Sequence, residues 1–350
     1  EFNVSIKTVG LIFTNNLILN YSLNEDLKSG KIRIERTGGP NDSASPYELD
    51  LLEDQLKKNA TIDFNISEQI NLVSNAVYKI TVEGVDIAGN QGISDPIEDI
   101  TFDDIPHDIA IISPSVDSFI NITSLGLRTN EVLDAALVDW VWQEGEVDAV
   151  KEHTSKLVGG SLQDGEYPQV EFDPSPSLIS GSWYNVTFHG RDRAGNSSSF
   201  NLGRLFFDNT PPLIAGKFPD SNAFTNLAEI SYSVNEDLIQ GIVTWNPVDG
   251  SQGVDVELVS NELSEGTFGI GVLNGQVDLV DGAIYNIEIK GKDKAQNEST
   301  ASIAKNITFD LTKPKFTQVL PLASSRINTQ TVEWNVDEPL QSGKYTWIHM

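Results

Sequence analysis

The stretches "YSLNEDL" (21–27) and "YSVNEDL" (232–238) differ at a single position, and "RTNEVL" (128–133) and "WNVDEPL" (334–340) occupy corresponding places. The Glu of each Asn/Asp-Glu pair is Glu25, Glu131, Glu236 or Glu338, so the pattern returns about every 105 residues. A second marker keeps the same period: "AVYKITVEG" (76–84), "SWYNVTFHG" (182–190) and "AIYNIEIKG" (283–291). A third closes each unit: "ITFDDIP" (100–106), "LFFDNTPP" (205–212) and "ITFDLTKP" (307–314). Independent markers on one spacing define three complete repeats, 1–106, 107–212 and 213–314. A fourth, 315–350, holds about the first third of the pattern.

Inside a repeat the period is that of strands. In "YNIEIKG" (285–291), Tyr285, Ile287 and Ile289 fall on one face and Asn286, Glu288 and Lys290 on the other. Helical windows are scarce; "LDLLEDQLKKN" (49–59) is the one fair candidate and reads as a short, turn-like insertion. Short strands broken by Gly, Pro, Asn and Asp, about seven to a repeat, predict an all-β fold of sandwiches. The positions then fall into immunoglobulin-like places. "YSVNE" is strand B, and "GIVTW" (241–245) is strand C with a core Trp. Trp140, Trp245 and Trp347 each lie at the same distance after Asn130, Asn235 and Asp337, and Ile34 takes that place in the first repeat. Tyr78, Tyr184 and Tyr285 open strand F, where a tyrosine corner bonds back to upstream backbone.

These segments together resemble the bacterial immunoglobulin-like repeats strung along very large cell-surface and secreted proteins. The resemblance covers nearly the whole chain. It implies tandem immunoglobulin-like β-sandwiches arranged end to end as a rod, in modules that serve as stalks, adhesin shafts, filament subunits or spacers in enzymes. The first repeat departs from the pattern at strand C. The third has Gln296 where the motif "D.AGN" carries Gly, which predicts a different loop there.

Composition narrows the function classes. With 51 Asp+Glu against 23 Lys+Arg, the net charge of −28 repels nucleic acid and anionic lipid and attracts cations. The absence of cysteine removes disulfides, thiolate zinc sites and cysteine nucleophiles. No apolar run approaches the ~20 residues of a membrane span. His107, His153, His189 and His349 stand at unrelated repeat positions, without a nucleophile elbow, H-E-x-x-H or P-loop. "GGSLQDG" (159–165) has no strand-to-helix context and reads as a loop. Recurrent carboxylates appear once per repeat, which is not how a catalytic pair is arranged, so the chain is expected not to be an enzyme.

The heptapeptides "GVDIAGN" (84–90), "GRDRAGN" (190–196) and "GKDKAQN" (291–297) are the F–G hairpins. Asp caps the turn, Gly supplies positive φ and Asn tolerates a left-handed backbone. The F–G loop shares one end of the sandwich with the B–C loop and the incoming linker. Oxygen ligands therefore converge at each junction. At the first they are Asp103, Asp104, Glu131, Asp192 and Asn196. At the second they are Asp208, Asn209, Glu236, Asp237, Asp293 and Asn297, and at the last Asp310, Asp337 and Glu338. Calcium takes six to eight oxygens, so Ca2+ rigidifying the junctions is the expected cofactor, by analogy with cadherins. The D-x-D-x-D-G loop is absent, and Pro106, Pro211, Pro212 and Pro314 would stiffen linkers without an ion.

Ten N-x-S/T sequons, at Asn3, Asn20, Asn41, Asn59, Asn65, Asn121, Asn185, Asn196, Asn297 and Asn306, exceed the number, about four, expected by chance. They are glycosylation candidates, although polar strand composition is the favoured explanation of the excess. The sequence thus predicts an extracellular or cell-surface structural and adhesive array. Its partners are neighbouring repeats, a further chain completing the fourth repeat by strand addition, and a surface or matrix ligand. The alternative is accessory immunoglobulin-like or carbohydrate-binding modules of a secreted polysaccharide-acting enzyme, with Trp142 and Trp183 as the aromatics to inspect.

Overall fold

Along Ser182–Asp192 every second side chain is buried, from Ser182 and Tyr184 through Val186 and Phe188 to Gly190 and Asp192. One face of this strand is core and the other is half-exposed, as the pleat requires. The computed structural model describes residues 4–6, 13–59, 61–158, 162–269 and 277–348. They form an all-β molecule of immunoglobulin-like sandwiches. In the second repeat Ile109–Ser113, Leu125–Thr129 and Gly165–Val170 make a three-stranded sheet. A six-stranded sheet faces it, in the order Phe119–Ile120, Ser197–Phe207, Ser182–Asp192, Leu133–Gly145, Glu152–Leu157, Phe172–Asp173. The pairing of Phe119–Ile120 with Phe206 and Phe207 is parallel, whereas the long strands beside it pair antiparallel. The first and third repeats keep this plan, including their own short parallel pairs.

Three separate hydrophobic cores fill the sandwiches, drawn from residues 17–102, 109–207 and 214–309. Ile34, Trp140 and Trp245 are wholly buried at the equivalent strand-C position. Trp347, placed by the same spacing, is instead exposed: the fourth repeat here has one two-stranded pair, Phe316–Leu320 with Glu333–Val336, among the described residues. Compactness divides the chain after Asn209. Glu1–Asn209 carries the first two cores, and Thr210–Met350 carries the third.

The tyrosine corners form in all three repeats. The hydroxyls of Tyr78, Tyr184 and Tyr285 accept the backbone N–H of Val73, Ile179 and Val280 at 2.9, 2.9 and 3.0 Å. In two repeats the same hydroxyl also donates to a buried carboxylate, Tyr78 to Asp42 at 2.8 Å and Tyr184 to Asp148 at 2.6 Å. Asp42 receives Tyr47 as well, and Asp148 lies 2.7 Å from the His153 ring. Burial pushes the Asp148 carboxyl up, but the bonds from Tyr184, His153 and the Val150 N–H outweigh it and hold it at about 2. Among the described residues the third repeat shows no such clamp: Val254 sits opposite Trp245 where Tyr47 and His153 sit opposite Ile34 and Trp140, and Asp249 is exposed.

The helical part of the window 49–59 is a 3-10 turn, Glu53–Leu56, which follows the strand Tyr47–Asp50 and whose Gln55 carbonyl accepts the Tyr21 hydroxyl at 3.2 Å. A second such turn, Ser260–Leu263, plays the same part in the third repeat, where Tyr232 donates to the Glu262 carbonyl at 2.6 Å. Each turn therefore caps a buried strand-B tyrosine.

Candidate functional site

Within Glu1–Asn209, three carboxylates from three separate elements meet. Asp103 follows the last strand of the first repeat, Glu131 lies between Leu125–Thr129 and Leu133–Gly145, and Asp192 ends Ser182–Asp192. An oxygen of each lies within 4.8 Å of the other two. Asp103 and Asp192 are buried and Glu131 is half-buried. They border a cleft of about 270 Å³, which Asp164, Asn75 and Arg193 also line. Burial, then the Asp103 and Asp192 charges, push the Glu131 carboxyl above its ordinary range.

The F–G loop explains the position of Asp192. Its Oδ1 accepts the Asn196 N–H at 2.9 Å and its Oδ2 accepts Asn196 Nδ2 at 3.0 Å. Gly195 stands at φ +95°. The third repeat builds the same turn: Asn297 donates to both oxygens of Asp293 at 2.9 and 2.8 Å. Gln296 takes φ 75° where Gly195 stands, so the loop expected to differ does not. The terminal Asn is not the left-handed residue of the turn. Its side-chain amide holds the Asp, which is why the motif keeps both.

The other predicted ligands fall in several places. Asn196 is buried, and its Nδ2 also donates to the Asp103 carbonyl at 2.8 Å. Asp103 Oδ1 accepts the Ser74 hydroxyl at 2.7 Å and the Ile105 N–H at 3.1 Å. Asp104 is exposed, its N–H on Ser74 Oγ. Ser180 Oγ donates to Asp208 and accepts the Asn209 N–H. In Thr210–Met350, Asp237 turns to Lys294 Nζ and the Glu265 N–H, both at 3.0 Å. Glu236 is half-buried and Asp293 buried. Asp310 accepts the Thr312 N–H at 2.9 Å, and Asp337 accepts the Lys315 N–H at 2.7 Å. Asn130 and Asn235 hold the Asp108 and Leu213 N–H groups as Asp337 holds Lys315, so the first residue of these three Asn/Asp-Glu pairs is a backbone staple. Burial, then Asp310 and Asp337, raise the Glu338 carboxyl.

Two features of this junction escaped the sequence reading. His107 is buried with its Nδ1 3.7 Å from Asp192 Oδ2, and neither ring nitrogen has a hydrogen-bond partner. Burial holds its pKa below the ordinary value against the pull of Asp192, which favours the uncharged ring beside these acids. Gly190 makes room for it, since a Cβ there would lie 2.5 Å from Nε2. The second feature is Phe13 and Asn15. Asn15 N donates to the Ala194 carbonyl at 3.0 Å, and its Nδ2 donates to Asn196 Oδ1 at 3.0 Å. The Arg193 guanidinium lies 5.9 Å from the Phe13 ring centre. A signal existed: F-x-N recurs at 13–15, 119–121 and 224–226, on the period of the Glu markers.

Among the sequons, Asn41, Asn59 and Asn306 are exposed, and Asn20, Asn65, Asn121 and Asn185 are half-buried. Asn196 and Asn297 are buried and hold their loop Asp, so a glycan there requires the loop to open. Asn3 lies outside the described residues, as do His349 and part of the stretch 159–165. Trp142 has Lys151 Nζ 3.3 Å from its ring centre, and Trp183 has the Arg204 guanidinium at 4.4 Å, so a cation covers one face of each. Trp183 also packs edge-on against Phe119 and Phe206.

The model of the bacterial Ig-like domain (group 3) matches residues 169–309 and bears out the resemblance read from the sequence. Among solved structures, the chain is similar at 16% identity to a tetra-tandem repeat from the extending region of a large adhesion protein. That match covers 90% of this chain and 75% of the other, with a TM-score of 0.28. The chain is also similar, at 11% identity, to a structure of a 1.5-MDa bacterial ice-binding adhesin, covering 89% and 98%, with a TM-score of 0.29. Fibronectin(III)-like modules of Clostridium thermocellum CbhA match at 11% identity over 58% and 94%, with a TM-score of 0.31. No curated protein matches the chain. Among the described residues, no helix is long and apolar enough to cross a membrane.

Proposed function

We propose that this chain is a section of an extracellular, non-catalytic array of immunoglobulin-like repeats, a stalk or adhesin shaft stacked end to end, whose junctions bind calcium. The observation that carries this reading is the meeting of Asp103, Glu131 and Asp192 from three elements, two of them buried. Clustered buried carboxylates repel one another, and a hard divalent cation with oxygen ligands removes that cost. The donor set suits calcium: the oxygens are carboxylates, and the His107 ring brings no compensating charge. The Asp103 ligand belongs to one repeat and the other two to the next, so a bound ion stiffens the link between them.

The test is a calcium titration of the metal-stripped full chain, followed by melting temperature. Saturation at a hundredfold over the dissociation constant adds about 2.7 kcal/mol to the stability of the binding unit. The Glu131→Gln chain should show a smaller shift. An unchanged melting temperature at millimolar calcium refutes the calcium reading.

A further inference from the structure

The heptapeptide loop of the second repeat is buried differently from that of the first. Ala194 and Asn196 are 8% and 7% exposed, whereas Ile87 is 73% exposed and Ala88, Gly89 and Asn90 are exposed. Identical turn chemistry cannot account for that contrast, because both loops close on their Asp by the same two Asn bonds. The difference lies in what covers the second loop. Asn15 reads it twice, through its backbone N–H to the Ala194 carbonyl and through its side-chain amide to Asn196 Oδ1. A Cβ on Gly195 would sit 3.6 Å from the Asn15 side chain, so the small residue of the motif lies directly against it. Phe13 takes the Arg193 guanidinium. Asn196 completes the lock by donating back to the Asp103 carbonyl of the first repeat.

We infer that the F-x-N tripeptide is a receptor for the D-x-A-G/Q-N hairpin of the repeat that follows it, and that this coupling works without an ion. It rests on the reading of the chain as a repeat array but not on calcium. The contacts are two neutral hydrogen bonds and a cation–π pair, and none of them uses a carboxylate oxygen. The third repeat carries the same tripeptide at Phe224–Asn226, on a short strand paired like Phe13–Thr14. There Phe224 is 74% exposed and Asn226 is exposed, against 36% for Phe13 and a half-buried Asn15. The same inference assigns residues 224–226 to the F–G hairpin of the repeat that follows the third, as 13–15 serves the second.

The experiment uses the full chain with spin labels on Asp95→Cys and Glu152→Cys, two exposed positions in a protein with no native cysteine. Distances are measured in chelator, so a negative calcium titration leaves the outcome readable. The parent should give one narrow distribution. Asn15→Asp keeps the shape but replaces the donor amide with an acceptor facing Asn196 Oδ1. It should broaden the distribution roughly two-fold, to the mobility ordinary for weakly joined domains. Asn16→Asp, one residue along, should leave it narrow. Arg193→Ala, on an exposed loop residue, tests the same lock from the other side and should broaden it less. A broad distribution in the parent overturns the inference. So does a width in Asn15→Asp equal to the parent's.

Discussion

Replacing Tyr184 by Phe removes one oxygen that serves two buried partners. The hydroxyl accepts Ile179 N–H at 2.9 Å and donates to Asp148 Oδ2 at 2.6 Å. The first is a neutral bond, with a net contribution of about 1 kcal/mol, and the second goes to an ionised acceptor, contributing about 1.5–3 kcal/mol. His153 continues to hold Asp148, so the carboxylate is weakened in its support rather than stranded. Tyr184→Phe should therefore cost the second repeat about 3 kcal/mol. The third repeat is a built-in control, because Tyr285 takes the Val280 N–H at 3.0 Å and no carboxylate among the described residues accepts its hydroxyl. Tyr285→Phe should cost that repeat about 1 kcal/mol. Hydrogen exchange with mass spectrometry across a urea series, on the intact chain, reads the opening free energy of each repeat separately. Equal costs in the two repeats would refute the claim that the carboxylate strengthens the corner.

The same clamp makes the second repeat sensitive to acid. The Asp148 carboxyl is held at about 2, below its ordinary value, so its contribution is complete above that ordinary value and is lost as pH falls toward 2. The urea midpoint of the second repeat should drop more steeply below pH 4 than that of Asp148→Asn, which starts lower and has a flatter profile. At the third F–G loop, Gln296 holds a left-handed backbone that glycine adopts without a steric penalty. Gln296→Gly should raise the third repeat's stability by about 0.5–1 kcal/mol, read from its urea midpoint.

Much of this architecture was legible because it recurs. A large side chain that fills a core returns at one register in each sandwich, so Ile34, Trp140 and Trp245 could be placed by spacing, and all three are wholly buried. The Asp of each F–G loop could be placed in the same way, and topology brought Asp192 to Asp103 and Glu131. Repetition hides what occurs once. His107 follows Pro106 where Pro212 follows Pro211 one period on, and nothing in its neighbours announces a buried imidazole against Asp192. Asn15 left a trace in the recurring F-x-N, but not of its partner. Its side chain makes its contact 181 residues away, and strand patterning carries no information about which surface polar group meets another repeat. The role of the motif Asn needed the side-chain geometry. Composition rules assign Asn to left-handed turns, while here its amide is spent on the Asp carboxylate.

The short parallel pair between Phe119–Ile120 and the end of Ser197–Phe207 has a mechanical consequence. The chain enters a repeat ahead of the first of these strands and leaves it after the second. Tension applied between the two ends of a repeat pulls the paired strands in opposite directions along their length. Their hydrogen bonds are then loaded together in shear instead of being opened one after another as in a peeled hairpin. Resistance to pulling is governed by the rate of unfolding under load rather than by equilibrium stability. A few residues of parallel ladder, present in three sandwiches, would thus carry any pulling force applied between the two ends of a repeat.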